Sequence, residues 1–174
     1  TGRVDCEGHM EPTPDGHRLV LQFTGTHVPL EEELRDALAD PRQRRMWDDL
    51  HPLGAINLRC QVSYLSTKPG LHLWARVHPV PGAVSVQPKW FPYRLDNVGG
   101  EIFFQDGHVD LQGLSAEHGG ARVVDASGVC EFWDDGGWRV ELSKLAIDRL
   151  GLDRELTIAL PERLRNPLRE LDPQ

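Results

Sequence analysis

The side chains able to do chemistry in this sequence are eight histidines, three cysteines, six serines and two pairs of adjacent acids. The histidines are His9, His17, His27, His51, His72, His78, His108 and His118. None forms the H-x-x-x-H or H-E-x-x-H spacing that puts two imidazoles on one helix face for zinc. His72 and His78 share a strand face but stand about 20 Å apart at ~3.3 Å per residue, too far for one ion. Cys6, Cys60 and Cys130 form no C-x-x-C pair, which excludes a zinc knuckle or a thioredoxin-like motif. They read as small thiols buried on strands. No G-x-S-x-G elbow offers a serine nucleophile, and no G-x-x-x-x-G-K loop offers a phosphate cradle. The acid pairs, Asp48-Asp49 and Asp134-Asp135, do not suit glycoside chemistry, because adjacent acids on a strand point to opposite faces and Asp134-Asp135 falls in a predicted turn. Trp74, Trp90 and Tyr93 could form a sugar-stacking platform, although such aromatics also serve as core or rim. The expectation is a non-enzymatic chain with no metal and no cofactor.

Composition narrows the partners. The net charge of −8 opposes a nucleic-acid backbone as partner, since phosphate binding needs clustered Lys and Arg. The one basic cluster, Arg42, Arg44 and Arg45, is followed by Asp48 and Asp49 and reads as a solvated helix face. The 39% hydrophobic content suits a folded domain, and no apolar run approaches the roughly 20 residues of a membrane-spanning helix.

The elements that must position these residues carry an internal repeat. Val4-Asp5-Cys6-Glu7-Gly8 matches Val124-Asp125-Ala126-Ser127-Gly128. Gly16-His17-Arg18-Leu19-Val20-Leu21 matches Gly137-Trp138-Arg139-Val140-Glu141-Leu142. Leu30-Glu31-Glu32-Glu33-Leu34 matches Leu152-Asp153-Arg154-Glu155-Leu156, Ala37-Leu38 matches Ala159-Leu160, and each copy ends in Leu-x-Pro, at Leu50 and Leu171. Long repeats are units that stack to bury a continuous core. Residues 1–52 read as the end of one repeat and 53–173 as the next, in one continuous unit. The expectation is a piece of a longer chain whose neighbouring repeats are partners.

Alternation predicts strands at Arg3–Glu11, Arg18–Thr24, Ile56–Tyr64, Leu71–His78, Ala83–Gln87, Tyr93–Asn97, Gly100–Phe104, His108–Leu111, Ala121–Asp125, Val129–Trp133 and Trp138–Leu142. Asp106-Gly107 signals a tight hairpin, and Lys68-Pro69-Gly70 a turn. Helices are predicted over Leu30–Ala39 and, capped by Asp40-Pro41, to Leu50; Leu156–Leu160 and Arg163–Leu171 should repeat the pair. The fold class is mainly β with a short helical hairpin per repeat (α+β): a curved antiparallel meander forming an open trough or a sandwich. The candidate apolar lining is Ile56, Leu58, Val62, Tyr64, Leu71, Leu73, Val77, Ile102, Phe104, Val109 and Leu111.

The stretch Gly99-Gly100-Glu101-Ile102-Phe103-Phe104-Gln105-Asp106-Gly107-His108-Val109-Asp110-Leu111, continuing through Leu114-Ser115-Ala116-Glu117-His118-Gly119-Gly120, resembles the strand–Asp-Gly–strand module of the AsmA-like and TamB-like bacterial envelope proteins. The resemblance covers about residues 100–145, and the first repeat copy more weakly; the helical insertion Leu30–Leu50 is a departure. It implies a curled, apolar β groove that carries phospholipid acyl chains between membranes, in the periplasm, tethered to the inner membrane by a segment outside this sequence. The alternative is a carbohydrate- or protein-binding β-sandwich module using Trp and His on its outer face. Two open sheet edges would also invite pairing between copies.

Overall fold

The computed structural model describes residues 2–14, 16–38, 40–149 and 154–160. Eight long strands form one open antiparallel sheet in sequence order: β1 (Arg3–Thr13), β2 (Gly16–Pro29), β3 (Ala55–Leu65), β4 (Lys68–Pro79), β5 (Asp96–Gln105), β6 (His108–His118), β7 (Ala121–Phe132) and β8 (Trp138–Asp148). Three short helices complete it: α1 (Glu32–Ala37) and α2 (Pro41–Leu50) between β2 and β3, and α3 (Arg154–Ala159) after β8. The chain is therefore mainly β with short helices, a curved meander rather than a closed barrel.

Local chemistry sets the connections. Asp106 and Gly107 both take positive φ, 47° and 93°, as a two-residue primed turn requires, so β5 and β6 form the tight hairpin expected of Asp-Gly. The Asp106 carboxylate also accepts the Leu73 amide at 2.9 Å, anchoring this turn on the flank of β4. Helix α2 begins at Pro41 with Asp40 as its cap, accepting from the Arg42 amide at 2.8 Å, and ends at His51 in the left-handed region.

Three expectations need correction. Ala83–Gln87 and Tyr93–Asn97 do not form a strand pair; only the isolated bridges Leu53–Ser85 and Val86–Leu95 remain, and strand β5 begins at Asp96. Pro81, Pro88 and Pro92 lack the amide donors that a ladder needs. Residues Ala121–Phe132 form one strand rather than two, because Ala126, Ser127 and Gly128 stay paired with β8 across a bulge. Gly128 permits it: a Cβ there would stand 2.1 Å from the Glu141 carbonyl oxygen. The β3–β4 turn lies at Ser66-Thr67, and Lys68–Gly70 already belong to β4. The second helix expected at Arg163–Leu171 lies outside the described residues.

The core is thin and divided. One cluster joins Val28, Ile56 and Val84 with Leu30, Leu34, Leu58 and Val77, so α1 and the β4–β5 connection cover one end of the sheet face. A second joins Tyr93, Leu156 and Ala159 with Phe91 and Leu95, seating α3 on the same connection. Helix α2 crosses to the far strands. The Met46 Sδ lies 3.9 Å from the Cys130 Sγ on β7, and the Trp138 indole on β8 donates to Asp49 at 3.0 Å. Cys130, at 2% exposure, is the most buried hydrophobic side chain among the described residues.

Candidate functional site

The ladders place side chains on faces without ambiguity, because directly paired residues share a face. One row runs Cys6, Phe23, Cys60, Ala75, Phe104, Val109, Cys130 and Val140, one residue from each strand. The neighbouring row, two residues away along each strand, runs Val4, Gly25, Leu58, Val77, Ile102, Leu111, Gly128 and Leu142. Neither row contains a polar side chain. Seven inter-strand spacings of ~4.8 Å make each row about 34 Å long.

On β1–β4 the apolar face continues in two further rows. Gly8, Leu21, Val62 and Leu73 form one; Met10, Leu19, Tyr64 and Leu71 form the other. The opposite face is polar. Its central row is Asp5, Thr24, Arg59, Arg76, Phe103, Asp110, Val129 and Glu141, and its charges are partly matched across strands, as in Arg76–Glu101 at 2.8 Å.

All eleven residues of the predicted lining fall on the apolar face, although they are not equally available. Ile56 and Val109 are buried, and Leu58 and Val77 pack against the cluster beneath α1. Val62, Leu73, Ile102, Phe104 and Leu111 are half-buried, while Tyr64 and Leu71 are exposed at the rim, 39% and 66%. The open floor is therefore the half of β1–β4 away from α1, continuing into β5. Sequence reading missed Cys6, Met10, Leu19, Leu21, Phe23 and Cys60 as floor residues. The signal was present in the spacing of Leu19, Leu21 and Phe23, but Val20, on the polar face, breaks the alternation. Cys60 was recognised on the apolar face of its strand yet not as lining.

The three cysteines share one row. Cys6 and Cys60 are separated by Phe23 of β2, so two strand spacings, about 10 Å, keep them beyond disulfide reach. All three are free, and Cys6 is exposed rather than buried, because it lies on the edge strand. Burial pushes the Cys60 thiol up, and burial with the nearby Glu131 carboxylate pushes Cys130 up to about 11.

The remaining chemistry-bearing groups are scattered. His72 sits against Asp106 at 3.3 Å, His78 against Glu101 at 3.8 Å and His108 against Asp110 at 3.3 Å, all on the polar face. His118 packs on the Tyr93 ring with centroids 3.9 Å apart and reaches Glu155 of α3 at 3.0 Å. Among the described residues no three His, Cys, Asp or Glu side chains converge as a metal set. Asp134 and Asp135 are exposed in the β7–β8 turn. Of the candidate platform aromatics, Trp90 is 65% exposed and Tyr93 only 5%. Trp74 lies on the polar face, stacked with Phe103 at 6.5 Å, beside a recess of about 660 Å³ lined also by Arg59, Arg76 and His78. Among the described residues no helix is long and apolar enough to cross a membrane. Comparison with protein-family models, with curated proteins and with solved structures gives no match to this chain.

Proposed function

We propose that this chain is a non-enzymatic module that binds or conducts phospholipid acyl chains on the apolar face of its sheet. The observation that supports it is the pair of polar-free rows crossing all eight strands, with an uncovered floor on β1–β4. The open part of these rows, from β1 into β5, spans about four strand spacings, ~19 Å, comparable to one extended acyl chain, and each methylene it takes from water contributes about 0.8 kcal/mol without any directed polar contact. Folded domains seldom leave so broad an apolar patch open unless it meets a partner. The resemblance to AsmA-like and TamB-like proteins adds the setting: the periplasm, a tether to the inner membrane, and neighbouring repeats that prolong the groove. The test is binding of a phospholipid carrying a fluorescent acyl chain to the purified protein, together with native mass spectrometry for co-purified lipid. Saturable emission gain, lost on adding unlabelled phospholipid, is expected; no gain with correctly folded protein would sink the reading.

A second reading rests on the polar face. The Trp74–Phe103 stack beside Arg59, Arg76 and His78 suits a carbohydrate- or protein-binding surface, and Arg59 has no acidic partner among the described residues. Glycan-array binding abolished by Trp74→Ala, with no lipid bound, would favour it.

A further inference from the structure

The two ends of the sheet share one element pattern. Helix α3 repeats α1 at an offset of 122 residues, Glu32 to Arg154 and Ala37 to Ala159, and the β1–β2 pairs Met10–Leu19 and Gly8–Leu21 recur on β7–β8 as Cys130–Val140 and Gly128–Leu142, so β8 repeats β2 there at an offset of 121. Leu34 on α1 and Leu156 on α3 occupy equivalent positions, and both pack on the β4–β5 connection, Leu34 near Val84 and Leu156 near Tyr93. Strands β7 and β8 with α3 thus stand as β1 and β2 stand with α1. The environments differ in one respect: β2 is flanked by β1 and β3, whereas β8 has only β7 among the described residues.

The side chains register that difference. Leu19, Leu21 and Phe23 on β2 are half-buried. Val140, Leu142, Leu145 and Ile147 on β8 are 41–52% exposed. Proteins usually guard so long an edge with proline or with charges aimed at the apolar side. Strand β8 has no proline and carries a bulge at Ser143, and its charges Arg139, Glu141, Lys144 and Asp148 fall on the polar face, where Arg139 meets Glu131 and Lys144 meets Asp125.

We propose that the free edge of β8 is a docking site for an extended strand of the β3 type, added antiparallel in the register of the β2–β3 ladder. This rests on the groove reading, because such a strand prolongs the same apolar rows. The occupant is defined by chemistry: alternating apolar and polar residues, with the apolar set continuing the face as Leu58, Cys60, Val62 and Tyr64 do beside β2. The register follows. Leu19 pairs with Tyr64 and Leu21 with Val62, and their counterparts on β8 are Val140 and Leu142. The Tyr64 position of the incoming strand therefore faces Val140, and the Val62 position faces Leu142. A second folded copy cannot supply this strand from its own β3, whose two edges are held by β2 and β4.

The probe is a synthetic peptide with the sequence of residues 55–65, added to the intact protein and read by hydrogen exchange. At saturating peptide, exchange of β8 amides should slow at least tenfold, with β1 amides unchanged and a scrambled peptide inert. The same peptide with serine at the Cys60 position and cysteine at the Val62 position should then cross-link to Leu142→Cys and not to Ser143→Cys, both made in a Cys6→Ser, Cys60→Ser background. Absent protection of β8, protection of β1 instead, or equal cross-linking at both positions would overturn the proposal. Labelled phospholipid is titrated into the same preparation without peptide. Lipid binding without peptide binding sinks only the edge site; peptide binding without lipid binding sinks only the groove reading.

Discussion

At the scale of the residue, the apolar rows make a sharp contrast available, since neighbouring positions on one strand point to opposite faces. Leu73→Asp places a carboxylate on the open floor of β4, beside Val62. Ser63→Asp places the same group on the polar face of β3, opposite His72. An acyl chain lying over Leu73 would have to desolvate the charge, a cost of several kcal/mol. Leu73→Asp is therefore expected to weaken labelled-phospholipid binding by at least tenfold, and Ser63→Asp by less than twofold, in a fluorescence titration. Equal effects would mean that the ligand does not sit on this face. The cysteine row offers a second residue-level check. Thiolates, not thiols, react with alkylating reagents, and burial holds Cys130 near 11, so at pH 8 it stays protonated as well as covered. Mass spectrometry after iodoacetamide should find Cys6 modified first, Cys60 later, and Cys130 only after denaturant is added. Bound phospholipid should slow Cys60, which lies on the open floor, and leave Cys130, already covered by α2, unchanged.

At the scale of the element, charge holds the two helices of the hairpin to each other. Arg35 on α1 pairs with Asp48 on α2 through two hydrogen bonds of 2.6 and 2.8 Å, and Asp40 caps α2 while accepting from Arg42. The Arg35 and Arg42 guanidiniums hold Asp48 and Asp40 below the usual carboxylate range. Depressed carboxylates contribute stability above their unfolded pKa of about 3.9, and that contribution is lost as pH falls through their lower folded values. Acid should therefore loosen α1 and α2 before it melts the strand ladders, seen as faster hydrogen exchange in residues 32–50 below about pH 4. Asp48→Asn should flatten this response, with little loss of stability at neutral pH because the pair is partly solvated. Met46→Ala removes the contact with Cys130 and should cost about 1–2 kcal/mol, below the fully buried range because Met46 is only half-buried. The pieces of this hairpin were legible beforehand: the predicted helix Leu30–Ala39 contains α1, and Asp40-Pro41 gave the cap and first turn of α2. Its placement was not. Nothing local to residues 41–50 says that Met46 and Asp49 reach Cys130 and Trp138 some 84–89 residues away, because such contacts follow from sheet curvature. Strand identity and the shared face were likewise readable from alternation. The Val20 interruption and the proline-bearing segment 80–95 misled, because there the pattern reflects a two-sided strand and a loop whose apolar residues fill clusters.

At the scale of the whole molecule, few side chains are sealed away, and the two apolar clusters sit at the helices rather than beneath the centre of the sheet. The ladders of β1–β4 are thus supported mainly by strand pairing and by an apolar face that still touches water. A ligand that covers this face binds the folded sheet and not the unfolded chain, so it stabilises by mass action. Phospholipid at a hundred times its Kd contributes about 2.7 kcal/mol. For a chain of this length each kcal/mol moves Tm by about 2–4 °C, so saturating lipid should raise Tm by about 5–10 °C. The gain should be largest where cover is thinnest, slowing hydrogen exchange in β1–β4 more than in β7, where α2 already lies over Cys130. A glycan on the Trp74 face predicts a different distribution, with protection centred on β3–β5 and no effect of Leu73→Asp on the Tm gain. Differential scanning calorimetry with and without phospholipid, repeated on Leu73→Asp, separates the two: the groove reading requires that the substitution abolish most of the gain, and an undiminished gain would place the ligand elsewhere on the molecule.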